Sequence, residues 1–113
     1  MPSLSLRIDL DPEGRIGPGK IALLEAIGAA GSISAGARAL EMSYKRAWDL
    51  VDEMNLIFGK HVVAAKTGGR KGGGATLTPF GETLVSRFRA IEAAAHDAAR
   101  EHMQALQAEI EKS

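Results

Sequence analysis

The sequence predicts a mainly α fold with a small β wing: a winged helix-turn-helix followed by a long C-terminal dimerisation helix. Three observations carry that expectation. Two helical segments are separated by only Glu41 and Met42, a glycine-rich basic hairpin follows the second of them, and the closing stretch runs for about 34 residues with no proline after Pro79.

Taken in order, Leu4, Leu6, Ile8 and Leu10 alternate with Ser5, Arg7 and Asp9, the period of a strand with one buried face. Asp11-Pro12-Glu13-Gly14 turns the chain, and Gly17-Pro18 opens a first helix, with Ile21, Leu24 and Ile27 at helical spacing up to Gly31. Ser32 or Ser34 caps a short second helix through Leu40, whose Ala35, Gly36, Ala37 and Ala39 permit close helix packing. Ser43 caps a third, from Tyr44 to about Phe58, with Ala47, Leu50, Val51, Met54, Ile57 and Phe58 on one face. Gly59 ends it. Val62–Ala65 and Ala75–Leu77 read as the two strands of a hairpin, joined by a stretch with five glycines in residues 68–74. Thr78-Pro79 then caps the last helix. Its apolar positions Phe80, Leu84, Phe88, Ile91, Ala95, Ala98, His102, Ala105 or Leu106, and Ile110 recur in steps of three and four, an alanine-rich coiled-coil seam. Dimerisation through Pro79–Lys112 is the expectation.

A chain of 113 residues has room for one core. With 45% hydrophobic and 25% charged residues it has the composition of a folded soluble protein. No apolar run approaches the ~20 residues a bilayer requires, and no signal segment opens the sequence, so a cytoplasmic protein with no membrane partner is expected. Cysteine is absent, which removes disulfides and thiolate chemistry. His61, His96 and His102 are remote from any nucleophile or carboxylate constellation and no zinc spacing occurs, so no catalytic, cofactor or metal site is expected. The glycine-rich stretch is not a nucleotide-phosphate loop, because Ala75 and Thr76, not lysine and a hydroxyl residue, follow Gly74.

Net charge is zero, yet it is unevenly placed. Residues 1–14 carry one cation against three carboxylates, residues 15–78 nine against five, and residues 79–113 four against six. The basic middle coincides with the elements that would meet duplex DNA. In a helix-turn-helix the N-terminal turn of the second helix reaches base edges and phosphates. Ser43, Tyr44, Lys45 and Arg46 stand there, with Asp49 one turn on; Lys45 or Arg46 suits guanine O6 and N7. Ser32, Ser34 and Ser43 at helix starts suit phosphate oxygens, and Lys66, Thr67, Arg70 and Lys71 on the wing suit the backbone or the minor groove. Considered alone, Lys45 and Arg46 are equally a solvated helix surface, whereas a loose surface loop is the lesser reading of the glycine-rich tip. Two capped helices and a tight turn beside that basic tip favour DNA. Tyr44 and Trp48, one turn apart, are expected to pack against the second helix or the wing rather than to stack on bases.

The stretch from Gly31 to Asn55, above all Ser43-Tyr44-Lys45-Arg46-Ala47-Trp48, resembles the helix-turn-helix of ModE-type molybdate-responsive regulators. Thr67–Ala75 followed by Leu77-Thr78 and Gly81 resembles that family's wing and the start of its linker helix. The resemblance spans about residues 4–90 and implies a dimeric winged-helix transcriptional regulator, related more distantly to LysR-type DNA-binding domains and linked to molybdenum. Relatives of this type continue into molybdate-binding domains of an oligonucleotide-binding-like barrel type. Here the expectation is a DNA-binding domain at 1–78 and a linker and dimerisation helix at 79–113, without those domains. The rival expectation is a winged-helix protein-interaction adaptor that leaves DNA alone.

Overall fold

The computed structural model describes residues 1–66 and 73–112 of the chain. The elements run β1 (Ile8–Asp9), β2 (Arg15–Ile16), α1 (Pro18–Ala30), α2 (Ile33–Ala39), α3 (Tyr44–Phe58), β3 (Val63–Lys66), β4 (Gly74–Leu77) and α4 (Pro79–Glu111). This is a winged helix with a long terminal helix, and the molecule extends to 58 Å. Among the described residues no helix is long and apolar enough to cross a membrane.

Local chemistry sets most boundaries. Pro18 stands in the first turn of α1, and Gly31, at φ 83°, closes the helix by donating its N–H to the Ile27 carbonyl. Ser32 rather than Ser34 caps α2, its Oγ accepting from Ala35 N at 3.0 Å. Ser43 caps α3 in the same way through Arg46 N, and Gly59, at φ 63°, ends it. The turn between α2 and α3 is held by the Met42 N–H donating to the Ala37 carbonyl at 2.9 Å.

The core lies where α1 meets α2, α3, β4 and α4. Ile21, Leu23, Leu24 and Ile27 are fully buried because α1 is covered on several sides, and Val51, Met54, Val62 and Phe88 close around them. At the α1–α2 crossing Gly36 lets the backbones approach: a Cβ there would stand 2.9 Å from the Ile27 nitrogen.

Two expectations are corrected here. The first strand is far shorter than the Leu4–Leu10 alternation predicts. Only Ile8 and Asp9 pair, with Ile16 and Arg15, while Leu4 and Leu10 are exposed. Leu10 N–H donates to the Gly14 carbonyl at 2.7 Å and α1 begins at Pro18, so the return strand has little length to offer a partner. The seam along α4 also divides in two. Leu84 and Phe88 are buried in this chain's own core, and Phe80 packs edge-on against Phe58 with ring centroids 5.0 Å apart, so the outward apolar stripe starts at Ile91. From there α4 extends past the domain, and its ion pairs beyond Glu92, Arg100 with Asp97 and Lys112 with Glu109, lie within the helix.

Candidate nucleic-acid interface

The wing is anchored at its base from three directions. Ala75 N–H donates to the Gly31 carbonyl at the end of α1, 2.8 Å away. Val62 N–H donates to Asn55 Oδ1 on α3 at 2.9 Å, and the Thr78 hydroxyl donates to the His61 carbonyl at 2.7 Å while accepting from Gly81 N. β3 and β4 pair antiparallel from Val63 with Leu77 to Lys66 with Gly74. The hairpin therefore leaves the domain at a fixed angle beside α3.

Of the residues singled out in the sequence, Ser34, Tyr44, Lys45 and Arg46 are exposed in the first turns of α2 and α3, with Ser34 and Tyr44 on one groove and Asp49, half-buried, one turn beyond Lys45. Ser32 and Ser43 spend an acceptor lone pair on capping, which leaves the Ser43 hydroxyl proton available for donation to a phosphate oxygen, while Ser32 shares a hydroxyl contact with Ser34. The Ser32 and Ser34 hydroxyl oxygens lie 3.4 Å apart. Lys45, 85% exposed at its side chain, meets Asp49 Oδ2 at 3.0 Å, one helical turn on. Arg46 has no ion-pair partner among the described residues and borders a shallow depression with Arg15, Gly17, Gly19 and Lys20 at the start of α1. Lys66 is exposed at the end of β3. Thr67, Arg70 and Lys71 lie outside the described residues.

Arg15 and Lys20 are the part of this surface that sequence reasoning missed. Lys20 Nζ donates to the Arg15 carbonyl at 2.6 Å and faces Glu53 at 3.7 Å, so the start of α1 is fastened to α3 near Arg46. Their charge was visible in the basic middle of the chain, but only the fold brings them beside α3.

Between α3 and the wing runs a groove of about 360 Å³, with Ser34, Tyr44, Trp48, Asp52, His61 and Gly74 on its walls. Tyr44 and Trp48 meet edge to face, centroids 6.3 Å apart at 80°. The expected packing of these rings is only partial: Trp48 faces the wing across the groove, yet 39% of it is exposed, and 56% of Tyr44. Among the described residues no cluster of His, Asp and Glu is arranged to hold a metal ion. Tyr44, Trp48 and Ser34 line the groove on the wing side of α3, and Arg46 lies toward the start of α1.

No family model matches the chain. It is 54% identical over 79 residues to the molybdenum-pterin-binding protein MopB of Rhodobacter capsulatus, an overlap of 70% of this chain and 29% of that protein. With the molybdenum transport protein ModE of Azotobacter vinelandii it shares 40% over 87 residues, 77% of this chain and 32% of that protein. With the DNA-binding transcriptional dual regulator ModE of Escherichia coli K12 it shares 45% over 71 residues, 63% of this chain and 27% of that one. The chain thus spans about three-tenths of the length of the curated relatives it matches. Among solved structures, the CbnR DBD–DNA complex superposes with a TM-score of 0.57 at 19% identity, covering 77% of this chain and 95% of that one, a likeness of fold.

Proposed function

We propose that this chain, a relative of the ModE-type regulators through its winged helix, is the DNA-reading part of a sequence-specific transcriptional regulator tied to molybdenum metabolism. The observation that carries the reading is the first turn of α3, serine-capped and exposed, which presents Lys45 and Arg46 beside an anchored basic wing. Ser32, Ser34 and Ser43 would donate to phosphates. Lys45, Arg46 and Asp49 would face base edges with Tyr44 beside them, and Lys66, Thr67, Arg70 and Lys71 would follow the backbone on the wing side. Arg15 would add charge at the flank, while Lys20, 12% exposed at its side chain and facing Glu53, holds that flank against α3. Acting on duplex DNA, the protein would work in the cytoplasm.

Residues 1–78 form the reader in this account and 79–113 the pairing helix, whose turns through Phe88 are shared with the reader's core. Two chains would pair through α4, using the stripe from Ile91 through Ala95, Ala98 and His102 to Leu106. Ile91 and Leu106 are 45% and 70% exposed. The apolar groove lined by Ile8, Leu10, Phe80 and Ile91 at the root of the helix would extend that contact. A two-fold pair would place two recognition helices in successive major grooves of an inverted repeat, about 34–36 Å apart.

Fluorescence anisotropy of duplexes from molybdate-transport promoters, titrated across a salt series with and without molybdate, tests the reading. Specific binding that weakens steeply with salt is expected, with log K falling by about 0.9 per log salt for each phosphate neutralised. No binding even at low salt would contradict it and favour a protein-interaction adaptor.

A further inference from the structure

We infer that Tyr44 and Trp48 form an aromatic reading edge that recognises the 5-methyl group of thymine in the half-site, an inference that rests on the DNA-reading role proposed above. The remaining large apolar residues on the first three turns of α3 go inward: Leu50 and Val51 are buried, as is Met54 beyond them. Tyr44 and Trp48 instead stand out from the first two turns, in edge-to-face contact, without being drawn into the core. Solvent-facing aromatics on a helix start keep the unfavourable hydration of their rings until a partner covers them.

What surrounds them narrows the partner. Lys45 and Asp49 sit on the adjacent stripe of the same two turns and neutralise each other at 3.0 Å, which weakens the local pull on guanine. In the major groove of B-DNA every base-pair edge presents donors and acceptors, and the one apolar feature is the thymine methyl. Apart from the tyrosine hydroxyl and the indole N–H, the ring edges of Tyr44 and Trp48 therefore have the thymine methyl as their one apolar target in the major groove. Arg46, on the other side of the helix by the start of α1, is left to the phosphates or to a neighbouring base.

The test starts from the full chain and a randomised duplex pool, from which the preferred half-site is selected. Each thymine is then replaced by deoxyuridine, which keeps the base pairing and removes only the methyl. At one or two positions uracil should weaken binding about fourfold, the worth of one buried methyl-sized group, with no change in the salt slope. Tyr44→Ser and Trp48→Ser, confirmed as folded by circular dichroism, should abolish the uracil penalty at those positions, read as the ratio of thymine to uracil affinities within each variant. Selective binding with no uracil effect at any thymine in the wild-type chain would overturn this inference alone. Failure to bind any duplex would overturn the DNA-reading role, and the inference with it.

Discussion

Gly81 lies against the carbonyl of Val62 so closely that a Cβ at that position would run into the carbonyl oxygen. That oxygen also accepts from Thr78 N at 3.1 Å, so it is not free to swing aside. The crossing is where the wing's first strand and the long helix share one anchor. Gly81→Ala should cost about 1–3 kcal/mol of unfolding free energy, because backbone and not a flexible side chain must give way. Urea denaturation followed by circular dichroism reads it; a variant as stable as the parent would show that the two elements can separate without penalty.

Arg89 on α4 grips Glu25 on α1 with two hydrogen bonds, Nε to Oε2 at 3.1 Å and a second through its terminal amino group, and also bonds Glu92. The Arg89 hydrogen bond holds the Glu25 carboxyl below its ordinary range; burial opposes this in part and the guanidinium charge adds to it. A carboxylate with a lowered folded-state pKa stabilises the fold above its unfolded value of about 4.3 and ceases to do so as pH falls through the folded value. Both side chains are about two-fifths exposed, so solvent screening limits the pair to at most about 1 kcal/mol. Glu25→Gln should therefore be slightly less stable than the parent at pH 7, and the difference should vanish in acid. A difference that grew on acidification would contradict the assignment.

Asp49 pairs with Lys45, whose side chain is 85% exposed on the first turn of α3. Asp49→Asn should raise affinity for unrelated duplexes about two- to tenfold at low salt and steepen the salt dependence by about one phosphate contact, as Lys45 is released. Discrimination between selected and unrelated sequences should fall. Anisotropy titrations on both duplexes measure the pair of effects, and weaker binding to both would show that Asp49 supports the contact.

Pairing through α4 predicts that Ile91→Glu and Leu106→Glu lower the oligomeric state while leaving the fold intact, because both side chains are exposed in the single chain. Sedimentation velocity should find a dimer in the parent and a monomer at the same concentration in the double variant. A parent that sediments as a monomer at tens of micromolar would remove α4 as the pairing element.

The legible parts of this fold are those written in local chemistry. Pro18, Gly31, Ser43, Gly59 and the Thr78-Pro79 pair mark helix ends, because capping involves only the neighbouring turn, and each observed boundary lies at or next to its marker. What stayed hidden depends on which elements become neighbours. Arg15–Ile16 is too short to announce itself as a strand, and exists because Ile8 and Asp9 come alongside. Phe80, Leu84 and Phe88 have the same spacing whether they face a partner helix or their own core, so periodicity cannot separate the two. At the site, the cations on α3 were readable from their place after a capping serine. Arg15 and Lys20 were not, since they come beside α3 only when α1 and α3 pack together, and the open groove in front of Trp48 exists only where the wing stands away from the helix.

The measurement that tests the central claim most directly is the affinity of the selected duplex for Lys45→Ala, Arg46→Ala, Arg70→Ala and Lys71→Ala, each against the parent chain at fixed salt. A base-reading role predicts a loss of about 1–3 kcal/mol for Lys45→Ala or Arg46→Ala on the selected duplex and a smaller one on unrelated DNA. The wing variants should weaken both duplexes alike. Unchanged affinity in all four would contradict the assignment of α3 and the wing as the DNA-reading surface.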